Sequence, residues 1–534
     1  MKNKGRKYAC VDTCFLQGVD GVIATIEISI LPGLPNVEVV GLCDSSIRES
    51  KERVRSAIRH CGYEFPKGRI IISLSPAYLH KSGSSFDLPM ALGILIASGQ
   101  VYQATNRCIA YGEISLQGEI HTIPGSIPRL MALKDYHEGL RLIPNEESEQ
   151  ARLLEVGVSC VRSLSEAIHA IGKDDPIPCM PPLCVLPGTD TADTGNDSSG
   201  DEDISSEQVL DYSCLRGQDA ASRAILLSAC GFHNMILIGS PGTGKTMAAR
   251  IIRGILPPMT LEEKLDWLRI ESTVSLLDSN MIMERERPFR YVHHTCTASA
   301  LAGGGRPPIP GELSRALHGV LFLDEMAEFN PRVLDLLRQP LETKEIVISR
   351  NGSVSTFPAD FLLVGAMNPC RCGKLLDSPA ECTCSVSTRR NYKNRISGPI
   401  LDRIDIVTKM KPMNKDTLKE TLVSGRHAES PAIRRRIKEL WERQYQRCKE
   451  NQVEPMRNGE VMMIDMASLF RINDTTMDYA IYAGNQLNVS ARGMKHILRV
   501  ARTVADWDEE QDVNEEHVME ALQYRMNTEE FTYA

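Results

Sequence analysis

The stretch NMILIGSPGTGKTMAAR (234–250) constrains this chain more than any other. An apolar run, Met235–Ile238, leads into Gly239-Ser240-Pro241-Gly242-Thr243-Gly244-Lys245-Thr246 and then into a helix-forming segment. That is the strand–loop–helix context of a phosphate-binding P-loop. The glycines let backbone N–H groups turn inward around phosphates, and the following helix N-terminus adds a positive dipole. Lys245 is expected to reach the β- and γ-phosphates of ATP, and the Thr246 hydroxyl to bind Mg²⁺. A chance glycine-rich turn would not carry the lysine and the hydroxyl at the same correct spacing.

A partner motif lies downstream. GVLFLDEM (319–326) is an apolar run that delivers Asp324 and Glu325 to a strand end. Asp324 is expected to hold Mg²⁺ and Glu325 to orient an attacking water. Alone, an acidic pair after a strand reads as a solvated loop start; after a P-loop, the catalytic reading is the better one. A further strand, FLLVGAMN (361–368), ends in Asn368, which is either a plain turn former or a polar group beside the γ-phosphate.

The surrounding sequence divides into parts. Residues 1–173 mix short β-like runs with helical ones and predict an α+β domain. Residues 174–206 are a proline-rich and then acidic Ser/Gly/Asp-rich linker with no apolar period. Residues 207–411 alternate apolar strands with longer helices, as in an α/β parallel sheet buried on both faces. Residues 412–534 are polar and helical, an all-α lid. The net charge of −8 argues against a nucleic-acid partner only superficially. Six carboxylates sit in 189–203, and without them the rest of the chain is about −2. No stretch approaches the roughly 18 uninterrupted apolar residues that span a bilayer, and no apolar core follows the basic N-terminus. A cytoplasmic protein with reduced thiols is expected.

That compartment bears on PCRCGKLLDSPAECTC (369–384), where Cys370, Cys372, Cys382 and Cys384 form two C-x-C pairs. Four thiolates satisfy tetrahedral Zn²⁺, and a long loop without a core benefits from a clip. Disulfides are disfavoured in a reducing compartment; unliganded thiols remain an alternative. Cys10 and Cys14 read as plain buried residues. Arg434–Arg436 read as a solvated helix face, with DNA contact as the minority reading.

Beyond the P-loop, the strings GLPNVEVVGLCDSSIRESKERVRSAI, SGSSFDLPMALGILIASGQ (82–100), HHTCTASALAGGGRPPIPGELSRALHGVLFLDEMAEF (293–329), LLRQPLE (336–342), AMNPCRCG (366–373), RISGPILDRID (395–405) and SARGMKHILRVART (490–503) resemble the ComM/YifB family of magnesium-chelatase-like AAA+ ATPases. The resemblance runs nearly end to end and lapses only in the linker. It implies an AAA+ P-loop core with a helical lid, behind a Lon-protease-like N-terminal domain. By the same resemblance Asn368 looks like sensor 1, Arg492 like sensor 2 and Arg403 like an arginine finger completing a neighbour's ATP site, with Arg395 the runner-up. A trans finger implies a homo-oligomeric ring, a hexamer by family pattern. Gly217 and Gln218 fall where the adenine-side loop lies.

LETKEIVISRNGSVSTFPADF (341–361) reads as a β-hairpin turning at Asn351-Gly352. In relatives such a hairpin enters the ring pore, so Lys344, Arg350 and, on the 302–311 loop, Arg306 are candidates to grip a DNA backbone. A solvated hairpin tip is the alternative. In the N-terminal part Ser85 falls near the nucleophile position of a Ser–Lys protease dyad, but Arg129 stands where the lysine should be. Arginine does not deprotonate to act as a general base, so no peptidase activity is expected. The resemblance therefore implies an ATP-driven motor that migrates or unwinds branched DNA, single-stranded or branched DNA being its partner. The rival readings are a chelatase-type motor and a protein-remodelling machine.

Overall fold

A computed structural model describes residues 7–42, 44–103, 107–136, 139–172, 210–215, 217–305, 308–350, 353–376, 381–411, 429–461, 466–487 and 489–533. The linker expected over 174–206, Arg306 and the hairpin turn at Asn351-Gly352 lie outside the described residues. The chain forms two compact units. One takes residues 1–200 with 264–284 and 306–309; the other takes 201–263, 285–305 and 310–534.

The first unit is built on a seven-stranded mixed sheet. Its strands are β1 (Tyr8–Gln17), β2 (Asp20–Leu31), β3 (Asn36–Val40), β4 (Arg69–Ser75), β5 (Cys108–Ala110), β6 (Leu140–Pro144) and β7 (Ser159–Val161), in the order β3-β4-β2-β1-β5-β6-β7. Antiparallel pairing joins β1 to β2 and β2 to β4; the other neighbours are parallel. Helix α1 (Ser45–His60) is capped by Asp44, whose carboxylate accepts from the Ile47 N–H. Helix α2 (Asp87–Ala97) is buried at every residue, as its apolar composition requires. Its end is marked by Gly99 at φ +70, a conformation glycine adopts freely. Helix α3 (Ser126–Lys134) completes the layer described here.

Residues 264–284, which hold most of helix α6 (Leu261–Val274), were not separable by sequence from the ATPase part, yet they pack into this first unit. Leu268 lies in one apolar cluster with Tyr111, Ile127 and Leu130. Arg269 pairs with Asp20 and donates to the Val19 carbonyl at 3.0 Å, while the Gly125 N–H donates to the Ser272 carbonyl. Cys14 is buried, as expected, but Cys10 is exposed. The two-residue alternation of β1 buries Ala9 and Val11 and turns Cys10 to solvent.

The second unit holds a five-stranded, wholly parallel sheet. After helix α4 (Asp219–Gly231), its strands are β8 (Met235–Gly239), β9 (Phe289–Val292), β10 (Val320–Leu323), β13 (Leu362–Met367) and β14 (Ile406–Met410), in the order β9-β10-β13-β8-β14. Every residue of β8, β10 and β13 is buried, the signature of a sheet covered on both faces. Strands β11 (Glu345–Arg350) and β12 (Ser353–Pro358) pair antiparallel as a separate hairpin.

The lid helices α7 (Ser430–Glu450), α8 (Asp474–Gln486), α9 (Ala491–Trp507) and α10 (Glu515–Tyr533) share one apolar core with α4 and the sheet. Polar anchors fix the lid to that sheet. Asp405, just before β14, meets His496 of α9, and its other oxygen lies 3.4 Å from His233 Nδ1. Burial pushes the Asp405 carboxyl up, but His496 and His233 beside it hold it well below the usual carboxylate range. The face expected to be solvated at Arg434–Arg436 is partly exposed, and two of its three arginines also have protein partners. Arg434 donates to the Gly254 carbonyl at 2.9 Å, and Arg436 donates to the Trp507 carbonyl at 2.6 Å while lying 4.2 Å over the Trp507 ring. Cation–π contact and backbone acceptors give those guanidinium groups something better than water.

Candidate nucleotide site

Strand β8 delivers its C-terminal end into the loop 239–244, and helix α5 (Lys245–Ile255) starts at Gly244, φ +87. Lys245 Nζ donates to the Gly239 carbonyl at 2.6 Å, to the Ser240 carbonyl at 2.9 Å and to Asn368 Oδ1 at 3.2 Å. The ammonium is thus held at the loop mouth, with the Asn368 side chain beside it, at the end of the next strand. Pro241 and Gly242 are exposed there and Thr243 is buried, its hydroxyl bonded to the Ser240 carbonyl at 3.0 Å.

The Thr246 hydroxyl and Asp324 Oδ2 stand 3.5 Å apart. Adjacent ligands of an octahedral Mg²⁺ are about 3 Å apart, so the pair fits such an ion with little movement. Asp324 is oriented by the Tyr291 hydroxyl at 3.0 Å and by the Glu325 N–H at 2.9 Å. Burial and the bond to Asp324 raise the Tyr291 hydroxyl, keeping it a donor. Glu325 sits at φ +50, an uncommon backbone state for a residue other than glycine, and His294 Nδ1 lies 3.1 Å from its carboxylate. Tyr291 and His294 were missed by sequence reasoning. The signal was present in YVHH, a polar pair closing the strand next to β10.

Gln218 is buried and clamps the first residue after β14: its amide donates to the Lys411 carbonyl, and the Lys411 N–H returns a bond at 3.1 Å. Gly217 beside it has φ +79. The two lie at the P-loop end of the sheet, because Met410 is in register with Gly239.

Arg403 and Arg492 are elsewhere. In the parallel register Ile406 lies level with Met235, and Arg403 precedes Ile406. A five-residue strand at about 3.3 Å per residue puts Arg403 more than about 13 Å below the P-loop. There it pairs with one oxygen of Glu342, and Arg492 reaches the other at 3.5 Å. Both arginines therefore gather at the sheet end opposite Lys245, and α9 is anchored there through His496. A sensor 2 poised over the nucleotide of its own chain is not what this arrangement offers. Arg395, in contrast, is on the P-loop side, bonded to Glu328 and the Ala327 carbonyl just past Glu325.

The hairpin residues divide similarly. Lys344 is not at a tip but at the hairpin foot, paired with Asp360 at 3.3 Å and with Glu460. Arg350 is the last residue of β11 and pairs in register with Ser353. In the first unit Ser85 is buried, and its hydroxyl has no hydrogen-bond partner among the described residues. Arg129 donates to the Pro124 carbonyl at 2.7 Å and lies 5.4 Å over the Tyr111 ring.

The four cysteines converge. Cys370, Cys372, Cys382 and Cys384 bring their sulfurs within 4.8 Å of one another. Backbone N–H groups of Lys374 and of Leu375 face the Cys372 and Cys370 sulfurs respectively, and the Lys374 bond pulls the Cys372 thiol down.

Residues 26–147 match the family described as subunit ChlI of Mg-chelatase, 211–418 the magnesium chelatase, subunit ChlI family, and 427–525 its C-terminal family. The chain is 34% identical over 509 residues to competence protein ComM of Haemophilus influenzae, covering 95% of each chain. It is 35% identical over 522 residues to YifB of Escherichia coli, again covering 95% of each. A magnesium-chelatase 38 kDa subunit of Rhodobacter capsulatus is 29% identical over 177 residues, 30% of this chain and 51% of that one. No helix among the described residues is long and apolar enough to cross a membrane.

Proposed function

The chain belongs to the ComM/YifB magnesium-chelatase-like family, and from that premise we propose that it is a ring-forming, ATP-driven motor that migrates or unwinds branched DNA in the cytoplasm, in natural transformation or recombination. The observation that carries this reading is the separation of Lys245 from Arg403 and Arg492 across one sheet. ATP and Mg²⁺ belong to the loop 239–246 with Asp324 and Asn368. Glu325 is the residue that aligns the attacking water, and His294 Nδ1 lies 3.1 Å from its carboxylate. Beyond Lys245, the arginine that stabilises negative charge on the γ-phosphate in the transition state is then supplied by a neighbouring copy, with Arg395 of the same chain the runner-up, and turnover depends on assembly into a homo-oligomeric ring, a hexamer. Supplied in trans, such an arginine accelerates hydrolysis about 10³–10⁵-fold.

Mg²⁺, when bound, neutralises charge building on the phosphates. Thr246 and Asp324 are the residues that would hold it, and Tyr291 fixes the Asp324 carboxylate for that task. Zn²⁺ is the metal proposed for the four cysteines. Arg350 at the end of β11 is the better candidate for gripping a DNA backbone; the ion pairs of Lys344 give it a supporting role at the foot. The name ComM ties a full-length relative to competence, and on that kinship rests the choice of DNA. A chelatase-type motor is the rival, supported by the three family matches. Its named subunit, however, aligns with 30% of this chain.

The test is ATP-dependent release of a labelled strand from a three-strand junction, with Glu325→Gln as the blank. Release by the wild type alone supports the DNA motor. Intact ATP turnover without release on any branched substrate would overturn it in favour of protein remodelling or chelation.

A further inference from the structure

The loop that carries the four cysteines is not remote from the nucleotide loop. Ser240 Oγ, buried within the P-loop, donates to the Gly373 carbonyl at 2.7 Å. Gly373 lies one residue past Cys372 and closes a turn by donating its N–H to the Cys370 carbonyl at 3.0 Å. Its φ of +81 and its packing leave no room for a side chain: a Cβ there would stand 2.7 Å from Pro241 Cδ. The Cys370–Gly373 turn is thereby pressed against Ser240 and Pro241, two residues of the phosphate cradle.

The sulfurs hold the spacing of a bound ion. Cys370 and Cys372 are 3.4 Å apart, Cys372 and Cys382 3.5 Å, and Cys370 and Cys382 3.7 Å. A disulfide would require about 2.05 Å. Four sulfurs at 2.3 Å from one tetrahedral Zn²⁺ stand about 3.8 Å apart, close to what is found. Cys370 is fully buried while the other three are half-buried, so the cluster has one anchored ligand and a face through which metal enters.

We propose that these four thiolates form a zinc-dependent brace of the P-loop: Zn²⁺ fixes the Cys370–Gly373 turn, the turn fixes Ser240 and Pro241, and nucleotide affinity is thereby set by metal occupancy. The inference rests on the reading of residues 239–246 as a nucleotide site. Without the metal nothing holds the four sulfurs to a common point, so metal loss loosens the Cys370–Gly373 turn and with it the acceptor of the Ser240 hydroxyl. A cradle that must then be ordered by the nucleotide itself binds that nucleotide more weakly.

The experiment uses the full chain, measured for zinc by elemental emission and for binding of a fluorescent ADP analogue before and after a zinc-selective chelator, with Mg²⁺ constant. One zinc per chain is expected, with ADP-analogue affinity about tenfold weaker after chelation and recovered on adding Zn²⁺. Cys382→Ser with Cys384→Ser should lose the metal and stay at the weak value, its fold checked by circular dichroism. Ser240→Ala should keep one zinc yet lose the response to chelation, which separates the brace from a general loss of structure. Absence of zinc, with four thiols freely titrating in the native wild type, would overturn the inference. So would zinc removal that leaves affinity unchanged. A zinc-loaded protein that binds no nucleotide would instead bring down the P-loop reading itself, and the brace with it.

Discussion

The two ends of the ATPase sheet are built from the same five parallel strands but carry opposite chemistry. At the C-terminal ends of the strands stand a lysine, a hydroxyl, two carboxylates and an amide, converging on one cradle. At the N-terminal ends stand two arginines that share a single carboxylate, Glu342, and a lid pinned by Asp405 and His496. The first end holds Lys245, with Arg395 engaged by Glu328 on the same side, but neither Arg403 nor Arg492. The second holds those two arginines away from the cradle of their own chain. Strand direction makes the difference: residues that follow β8, β10 and β13 reach the cradle, and residues that precede β14 do not. On the proposed trans reading, an active unit is made between copies.

The largest effects should come from breaking the cradle end. Lys245→Ala removes the phosphate-facing ammonium and should abolish ATP turnover, with fluorescent nucleotide binding lost in the same sample. Arg403→Ala should lower turnover about 10³-fold while leaving nucleotide binding by the chain intact, the split expected of a residue that serves a neighbour. Equal loss of both in Arg403→Ala would mean that Arg403 supports its own fold or site instead.

The lid anchor at the far end is a matter of stability. The Glu460 side chain is 10% exposed; desolvation would raise its carboxyl, but Arg457 at 2.8 Å and then Lys344 hold it well below the usual range. Glu460→Gln takes from Arg457 its nearer carboxylate, leaving Asp360 at 3.3 Å, and should cost about 3 kcal/mol in chemical denaturation. A depressed folded-state value means that the contribution is complete above the unfolded carboxyl's range, about pH 4.3, and is lost as pH falls below it. The gap between wild type and Glu460→Gln should therefore narrow in acid. A constant gap would assign the effect to packing.

The smallest effect should come from Glu342→Gln. It is exposed, and its carboxyl is held down by Arg403 first and Arg492 after it. Neutralising it frees both arginines, so turnover should change only several-fold, and chiefly through its dependence on protein concentration. A loss as large as that of Arg403→Ala would make Glu342 part of the trans site.

Much of the cradle end was legible because its residues follow strands in short, chemically loaded strings. Lys245, Thr246, Asp324 and Asn368 each sit at the end of an apolar run, and parallel order brings such ends together. The far end was legible only as residue types. Nothing in SARGMKH says that α9 packs behind the sheet; that follows from His496 finding Asp405 and Thr503 finding His233, contacts across 91 and 270 residues. Lys344 looked like a hairpin-tip cation because the sequence shows its neighbours but not Asp360 and Glu460. The 264–284 segment was hidden for the same reason: its partners, Asp20 and Tyr111 among them, are far away in sequence.

The central claim, that one chain's arginines serve another chain's cradle, is tested most directly by mixing two inactive variants. Lys245→Ala keeps Arg403 and lacks a cradle; Arg403→Ala keeps the cradle and lacks the arginine. Mixed rings should regain ATP turnover, peaking near equal amounts, because some interfaces then pair an intact cradle with an intact arginine. No recovery at any ratio, in mixtures shown to co-assemble, would contradict the account.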